Sequence, residues 1–349
     1  MKERVLLGMS SGIDSSVSAI LLKNKGLEVV GVTFIFSEAD YRKDEMIEST
    51  SQLAEYLNIE YHVIDLRTAF QNSVISYFQR EYLNGKTPFP CAVCNPQVKF
   101  KNLIYHADKL HCKYISTGHY VKVTENEGFK YISKSWDKDK DQSFFLWGLS
   151  SSVLERLILP LADYKKAEVR EIAKQHGFPQ LTTKKESLGI CFIESNDYRK
   201  YLKDKGIQVS KGNFVNKEGE VLGQHNGYIN YTIGQRRGLG LNLNFPLFVS
   251  DIFPDKNEVV LAEFNELKKT IIRIENYHFV HPQMVNTDKN YIVKIRYRLQ
   301  ENQCRIRFLE NGQVEIHLNE PVAMVANGQT AVLYDDNRVI GGGFIAESK

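Results

Sequence analysis

The sequence of 349 residues lacks any apolar run long enough for a membrane-spanning helix, and no apolar stretch with a cleavage site opens it. We therefore expect a cytoplasmic protein with no membrane partner. Charge of one sign is not in excess either, because 45 Lys and Arg residues against 42 Asp and Glu residues give a net charge of +3. Such a balance does not by itself predict binding to nucleic acid.

Cysteine is scarce, and its number is odd. The five residues are Cys91, Cys94, Cys112, Cys191 and Cys304. An odd set in a chain of this length argues against a disulfide framework and for reduced thiols. Cys112 follows a predicted helix and Cys304 alternates with apolar residues on a predicted strand, so both are predicted to be small packed side chains. Cys191, between two apolar residues, is open to core packing or to chemistry.

Neither the Walker pattern GxxxxGK[ST] nor the dinucleotide pattern GxGxxG occurs in the chain. Residues 8–16, GMSSGIDSS, instead lie between a predicted strand and a predicted helix. Small residues there let backbone N–H groups approach a phosphate, and a helix start adds partial positive charge. Ser10, Ser11 and Ser15 offer hydroxyl donors, and Asp14 would hold a magnesium ion or cap the helix. A plain helix cap after a turn is the alternative interpretation.

The first 120 residues alternate strand and helix patterns, which predicts a doubly wound parallel sheet of the α/β class. After residue 206 the pattern changes to short alternating segments separated by glycine and asparagine. We predict an α/β nucleotide-binding domain over 1–206, a small central domain over 207–270, and a C-terminal β-barrel-like domain over 271–349.

Several sequence blocks carry a family resemblance. GMSSGIDSS resembles the SGGxDS pyrophosphate loop of ATP pyrophosphatases, which adenylate a carbonyl oxygen of the substrate. Together, the later blocks resemble the tRNA-specific 2-thiouridylase family over essentially the whole chain. They are TPFPCAVCNPQVKF (87–100), STGHY (116–120), KDQSFFL (140–146), SLGICFI (187–193), YTIGQRRGLG (231–240) and IGGGFI (340–345).

The resemblance implies ATP-dependent 2-thiolation of the wobble uridine of tRNA. The C2 oxygen would be adenylated and then replaced by sulfur from an enzyme persulfide, giving 2-thiouridine, AMP and pyrophosphate. Implied cofactors are ATP and Mg²⁺. Implied partners are tRNAs with a wobble uridine, of the Lys, Glu and Gln isoacceptors, and a cysteine desulfurase or sulfur-relay protein as persulfide donor.

The resemblance also assigns residues. Cys191 would receive the persulfide and Cys94 would lie near the uridine, either resolving a disulfide with Cys191 after direct attack or first freeing hydrosulfide. Nucleotide-binding positions are Gly8, Met9, Ser10, Ser11, Gly12, Ile13, Asp14, Ser15, Phe34 and Gly118. Target-base positions are Phe89, Pro90 and Cys91, and further tRNA positions are His119, Lys140, Asp141, Gln142, Arg296, Tyr297 and Gln329.

Two residues depart from the family pattern. Ser11 stands where the family usually has glycine, which would weaken ATP binding if the backbone there needs a positive φ. Cys91 stands where the family has an aspartate for the target base, so that the positioning of the base is expected to differ.

Two metal sites are alternatives to this thiol chemistry. Cys91, Cys94, His106 and His111 have the spacing C-x2-C-x11-H-x4-H, close to that of a zinc finger. Cys91, Cys94 and Cys191 would instead offer three thiolates to an iron–sulfur cluster.

Basic residues alternate with apolar ones near the C-terminus. Lys294, Arg296 and Arg298, with Arg305 and Arg307 on the next predicted strand, would share one surface. We expect it to contact tRNA phosphates, the alternative being a solvated strand face. Rival functions are a 4-thiouridine synthetase, an amide-forming ligase and a non-catalytic tRNA-binding protein.

Overall fold

The computed structural model describes residues 2–37, 43–183, 189–193, 195, 197–242, 245–298 and 300–349. The strands of the N-terminal half are β1 (Arg4–Gly8), β2 (Glu28–Ile35), β3 (Glu60–Asp65), β4 (Tyr114–Ser116), β5 (Lys122–Asn126), β6 (Phe129–Ser133) and β7 (Leu157–Ile158). The later strands are β8 (Gly212–Val215), β9 (Val221–His225), β10 (Phe248–Phe253), β11 (Glu258–Ala262), β12 (Lys269–Phe279), β13 (Tyr291–Lys294), β14 (Asn302–Phe308), β15 (Val314–Val322), β16 (Thr330–Asp335) and β17 (Arg338–Ser348).

The helices are α1 (Ile13–Asn24), α2 (Lys43–Tyr56), α3 (Arg67–Phe70), α4 (Ser76–Leu83), α5 (Pro90–Cys94), α6 (Phe100–Lys109), α7 (Ser151–Arg156), α8 (Lys166–Gln175) and α9 (Tyr198–Asp204). Two π-helical turns, Gln71–Ile75 and Asn95–Lys99, join α3 to α4 and α5 to α6. Short 3-10 turns are Ser143–Phe145, Pro179–Thr182, Tyr228–Asn230, Pro254–Lys256, Phe264–Leu267 and Pro282–Met284.

The N-terminal sheet is parallel and has the strand order β3-β2-β1-β4-β7. Its centre is β1, where Val5, Leu6 and Leu7 are fully buried because helices cover both faces. Chain order reverses between β1 and β4, and the crevice at the carboxyl ends of such strands is where doubly wound sheets bind ligands. The predicted doubly wound α/β sheet is confirmed, and the residue 8–16 loop begins at this crevice.

Two β units follow the α/β sheet. The strands β10-β11-β8-β9 form the central sheet. The C-terminal strands β12, β15, β14, β13, β16 and β17 close into an antiparallel barrel, because β12 pairs with both β15 and β17. The barrel-like C-terminal fold is thereby confirmed, whereas the domain limits at residues 206 and 270 stay predictions.

The hairpin β5–β6 was not predicted as part of the C-terminal sheet. It belongs to the N-terminal half of the chain, yet Ser133 pairs with Arg338 of β17, so that the hairpin extends the barrel sheet. Alternating residues predict a strand but carry no information on which distant edge the strand joins.

The strand that carries Lys294 is shorter than the alternation of Lys294, Arg296 and Arg298 indicated. β13 ends at Lys294, and Arg296 turns its guanidinium to the backbone carbonyls of Ile233 and Met324, at 3.1 and 2.9 Å. Arg296 therefore joins the central segment to the barrel, and its predicted place on an exposed basic face is wrong. Arg305 and Arg307 do lie exposed on β14.

Among the described residues, the helices are all too short or too polar to cross a lipid bilayer.

Candidate nucleotide and thiol site

The loop after β1 is tied together by its own hydroxyl groups. The Ser10 N–H donates to Ser15 Oγ at 3.2 Å, and Ser15 Oγ donates to the Gly12 carbonyl at 3.1 Å. No side chain caps the N-terminus of α1, which begins at Ile13. The amide groups of this first turn therefore keep their capacity to bind an anion, so the phosphate-loop interpretation fits this geometry better than a plain side-chain cap does.

Ser11 has a φ of 51°, in the left-handed region that favours glycine. The backbone at this position therefore has the positive φ for which the glycine of the family pattern would be suited. A serine in this conformation brings its Cβ close to the backbone, which costs roughly 1–2 kcal/mol per residue.

We expect Ser11→Gly to raise the free energy of unfolding by about 1 kcal/mol, because relief of the left-handed strain outweighs the extra entropy of the unfolded chain. Urea denaturation measures the change. Ser10→Gly is the matched control, since Ser10 does not have a positive φ and its replacement should destabilise by about 0.5–1 kcal/mol. Equal destabilisation by both changes would contradict the strain argument.

Gly118 lies against the first turn of α1. An added Cβ would be 2.9 Å from the Asp14 carbonyl carbon and from the Ser15 nitrogen, so only glycine allows this approach of the chain after β4. Phe34, at the end of β2, is almost fully buried, and its ring lies 6.3 Å from that of His106. Phe34 thus lies at the end of β2 and Gly118 just after β4, and both strands belong to the N-terminal sheet.

Asp14 is held by two residues that the sequence did not single out. Lys166 Nζ lies 2.7 and 2.8 Å from the two carboxylate oxygens, and the Tyr120 hydroxyl donates to one of them at 2.6 Å. The Lys166 side chain is only 8% exposed. Lys166 stands 152 positions from Asp14 in an ordinary amphipathic helix pattern, so no local signal pointed to it.

Cys91 and Cys94 both lie on the short helix α5, one turn apart. Burial, with a smaller contribution from the nearby Cys191, raises the pKa of Cys91 to about 12 and that of Cys94 to about 11. The three predicted thiols are therefore within electrostatic range of one another. None of them is in a disulfide.

Cys191 is exposed on a turn in which the Ile193 N–H donates to the Ile190 carbonyl at 3.0 Å. The neighbouring Phe192 anchors this turn, since its ring packs 5.6 Å from Phe70 and 5.3 Å from Phe78. Core packing is the role of Phe192 and not of Cys191, so the core-packing alternative for Cys191 is wrong. Part of the block SLGICFI, residues 187 and 188, lies outside the described residues.

Cys112 and Cys304 are buried, 2% and 0% exposed, among apolar side chains. Their predicted role as small packed residues is confirmed.

Lys99 supplies a positive charge beside the thiols. It closes the π-helical turn after α5, and its charge lowers the pKa of Cys91 and Cys94 against the effect of burial. The same charge adds to burial in lowering the pKa of His119 to about 3, so that this imidazole is neutral at ordinary pH. His119 Nδ1 is 2.7 Å from Thr117 Oγ1. Sequence reasoning missed Lys99, although the block CNPQVKF contains it.

We expect alkylation of Cys94 by iodoacetamide to speed up about tenfold per pH unit below its pKa of about 11, because only the thiolate reacts. Lys99→Met removes the charge that lowers this pKa and should slow the reaction about three- to tenfold at any fixed pH in that range. Mass spectrometry of the Cys94 peptide gives the rates. Lys101→Met, at an exposed position on α6, should leave them unchanged.

The predicted zinc ligands do not come together. Searched over the described residues, the chain has no group of three or more His, Cys, Asp or Glu side chains arranged to hold a metal ion. His106 instead packs on the rings of Phe34 and Tyr105, at 6.3 and 5.0 Å. The zinc-finger alternative is therefore wrong. Cys91, Cys94 and Cys191 are neighbours without the arrangement of a cluster site.

Several predicted tRNA positions have protein partners. Gln329 donates to the carbonyls of Thr87 and Pro88, at 3.1 and 3.2 Å, and so fixes the chain just before α5. The buried Asp141 accepts a hydrogen bond from Ser143 Oγ at 2.8 Å. The Gln142 side chain accepts from the Tyr120 N–H at 2.9 Å. These contacts position the walls of the site, and they leave its RNA contacts a prediction.

An aromatic group adjoins the predicted base-contact segment. The ring of Phe89 stacks on Phe145 with centroids 5.5 Å apart, and Phe145 lies 4.6 Å from Tyr297. Pro90 begins α5, where its missing N–H leaves no bond unmade.

The fold and site together define an α/β protein with a serine- and glycine-containing loop after β1 and two thiols on a short helix, and the charge of Lys99 acts both on Cys94 and on His119, which follows β4. Three family models match successive parts of the chain. The model described as tRNA methyl transferase HUP domain matches residues 3–195, that described as tRNA methyl transferase PRC-barrel domain matches 199–263, and that described as Aminomethyltransferase beta-barrel domain matches 269–345.

Full-length relatives carry a more specific name. tRNA-specific 2-thiouridylase MnmA 2 of Phocaeicola vulgatus is 42% identical over 344 residues, covering 98% of this chain and 97% of the relative. tRNA-specific 2-thiouridylase MnmA 1 of Bacteroides fragilis is 43% identical over 358 residues, covering 99% and 98%. The chain belongs to the tRNA-specific 2-thiouridylase family and is an enzyme.

Similarity to solved structures is looser. A 4-thiouridine synthetase in an RNA complex with bound ATP has a TM-score of 0.36 at 20% identity, covering 52% of this chain and 43% of the other. The NMN synthetase from Francisella tularensis has a TM-score of 0.35 at 18% identity, covering 60% and 79%.

Proposed function

We propose that this enzyme replaces the C2 oxygen of the wobble uridine of tRNA with sulfur, using ATP to activate the oxygen and a persulfide on Cys191 as the sulfur source. One observation carries the proposal: the phosphate loop and the thiols are connected through a few adjacent residues. Gly118 contacts the first turn of α1, His119 follows it, and the charge of Lys99 acts on both His119 and Cys94.

Adenylation begins the reaction. The C2 oxygen attacks the α-phosphorus of ATP, the bond from that phosphorus to the bridging oxygen breaks, and pyrophosphate leaves. The uncapped amides at the start of α1 and the closed loop before it suit the phosphates of ATP.

Sulfur transfer follows. The terminal sulfur of the Cys191 persulfide loses its proton and attacks C2, AMP leaves, and the uridine is joined to Cys191 through a disulfide. The Cys94 thiolate then attacks Sγ of Cys191, which releases 2-thiouridine and forms a Cys94–Cys191 disulfide. In the alternative order Cys94 frees hydrosulfide first, and hydrosulfide attacks C2. An external thiol reductant must regenerate both cysteines, and a cysteine desulfurase or relay protein must reload Cys191.

The raised pKa of Cys94 fits a thiol that is kept protonated until substrate arrives. An exposed Cys191 fits a residue that must be reached by a donor protein. The more buried Cys94 is therefore suited to releasing the sulfur product, and the exposed Cys191 to receiving sulfur from a donor protein.

Cys91 takes the place of the aspartate expected at the target base. We propose that its thiol touches the base, in which role a carboxylate is a stronger partner. Activity should then survive Cys91→Asp. The alternative, an iron–sulfur cluster on Cys91, Cys94 and Cys191, would require these thiols to move from their arrangement in this structure, and iron analysis after anaerobic purification decides between the two accounts.

The tRNA would lie across the thiol site and the exposed side of the barrel. Phe89, Phe145 and Tyr297 offer aromatic rings beside the base segment, and unstacked RNA bases commonly stack on such rings. Arg305 and Arg307 would meet phosphates. The identity of the tRNAs, for which we expect the Lys, Glu and Gln isoacceptors, follows only from the family.

Magnesium accompanies ATP in such reactions. Asp14, predicted to hold magnesium or to cap the helix, has the Lys166 ammonium group 2.7 and 2.8 Å from its two carboxylate oxygens, and this positive charge would repel a metal ion bound to the same oxygens. We therefore assign no step to a metal ion.

The test is ATP–pyrophosphate exchange measured with and without unmodified tRNA, followed by mass analysis of the wobble uridine after addition of a persulfide donor. We expect exchange that requires tRNA and a mass increase of one sulfur-for-oxygen replacement at C2. Exchange supported by a carboxylic acid in place of tRNA would favour an amide-forming ligase. Binding of tRNA without exchange would favour a non-catalytic protein.

A further inference from the structure

The phosphate loop contains no cation of its own. Residues 8–16 include one carboxylate, Asp14, and neither lysine nor arginine. A triphosphate carries several negative charges, and other phosphate loops neutralise them with a lysine within the loop. Asp14 alone would repel the phosphates, so a cationic side chain from another part of the chain would strengthen binding beyond what backbone amides and the magnesium ion of ATP supply.

Lys166 is placed to supply this charge. It begins α8, and Val169 and Ala173 of that helix are buried in one apolar cluster with Ile13 and Val17 of α1. This packing brings the N-terminal ends of the two helices together at the loop. The ammonium group of Lys166 then lies 2.7 and 2.8 Å from the oxygens of Asp14.

The position of Lys166 is costly for a purely structural contact. Its side chain is 8% exposed, and the unfavourable transfer of an ammonium group out of water is barely offset by a single ion pair. Tyr120 adds both a hydroxyl donor on Asp14 and a ring whose centroid is 5.6 Å from the ammonium. An ammonium group held this far from water, beside a helix N-terminus with no side-chain cap, is placed to neutralise the charge of a bound phosphate.

We propose that Lys166 is the residue that binds the β- and γ-phosphates of ATP and the departing pyrophosphate, and that Asp14 is a positioning residue that aims Lys166 and is not a magnesium ligand. When the nucleotide binds, the ammonium group donates to phosphate oxygens while Asp14 and Tyr120 keep it at the loop. The assignment rests on the adenylation step proposed above, because it names the phosphate contact of that step.

Calorimetric binding of ATP, pyrophosphate and AMP tests the assignment. We expect Lys166→Met to weaken binding of ATP and pyrophosphate about 10- to 100-fold, the effect of losing a charged hydrogen bond, and to change AMP binding less than about twofold. Lys166→Arg should recover part of the loss. Lys174→Met, an exposed lysine on the same helix, should change none of the three affinities.

Asp14→Asn separates the two roles of Asp14. A positioning residue predicts weaker pyrophosphate binding with an unchanged magnesium concentration for half-maximal ATP binding, whereas a magnesium ligand predicts an increased magnesium requirement.

Equal loss of ATP and AMP binding in Lys166→Met would show that Lys166 only supports the fold, and unchanged ATP binding would show that it is dispensable. If Lys166→Met does not fold, Lys166→Arg and Asp14→Asn carry the comparison. Failure of the unaltered protein to bind ATP would overturn the adenylation proposal together with this one.

Discussion

Replacement of Cys191 by serine is expected to abolish thiolation of tRNA while leaving tRNA-dependent ATP–pyrophosphate exchange intact. A hydroxyl cannot carry a persulfide, and Cys91 and Cys94, the other thiols near the site, are less accessible and have raised pKa values. Because exchange needs only the phosphate loop and the C2 oxygen, it does not depend on Cys191. The two assays therefore report the two half-reactions separately.

The measurement is mass spectrometry of protein-bound persulfide after incubation with a cysteine desulfurase and cysteine, paired with thiolation of tRNA. Cys304→Ser is the matched control, since Cys304 is buried in the barrel and should affect neither assay if the variant folds. Cys94→Ser should load persulfide on Cys191 and fail in transfer. Persulfide that still thiolates tRNA in Cys191→Ser would mean that another cysteine is the carrier.

The second large effect is expected at Arg296. Arg296→Glu should lower the free energy of unfolding by about 2 to 4 kcal/mol, because it replaces two hydrogen bonds with a carboxylate facing the carbonyl oxygens of Ile233 and Met324. Thermal and urea unfolding both measure this loss. Since Arg296 joins the central segment to the barrel, weaker tRNA binding in this variant would follow from the displaced barrel.

Arg305→Glu is the matched comparison. Arg305 is exposed on β14, where its Nε donates to the Asn290 side chain at 3.0 Å, so its reversal should change stability by no more than about 0.5 kcal/mol. If Arg305 meets a phosphate, the slope of tRNA affinity against salt should flatten by about one unit. A large loss of stability with Arg305→Glu, or none with Arg296→Glu, would reverse our distinction between them.

Local patterns predicted most of the elements. The alternation of strand and helix patterns over the first 120 residues predicted the parallel sheet and its covering helices, and the short alternating segments after residue 206 predicted the later β structure. These predictions succeeded because helix and strand periodicity depends on residues a few positions apart. The prediction that the strand continues past Lys294 was wrong. Arg296 donates hydrogen bonds to the backbone carbonyls of Ile233 and Met324, which are distant in sequence and could not be foreseen from local alternation.

For the candidate site too, some features were predictable from the sequence and others depended on the tertiary structure. From its residues the sequence predicted a phosphate loop, and from its motifs the two thiols. Ser11 illustrates the boundary: the departure from glycine was visible in the sequence, whereas its cost depended on a φ of 51° that only the backbone reveals. Lys99 lay inside a recognised block, yet its charge has meaning only because the π-helical turn brings it beside Cys94 and His119.

By itself, the sequence determined the α/β class, the barrel-like C-terminus, the family and the types of chemical group available. Only the tertiary structure decided which groups meet: Lys166 with Asp14 across 152 positions, and Gln329 with Thr87 across 242. The physical reason is that periodicity and motifs record short-range backbone preferences. Contacts between distant segments depend on how complete helices and sheets pack, and burial, which fixes the charge state of each group, is set by that packing.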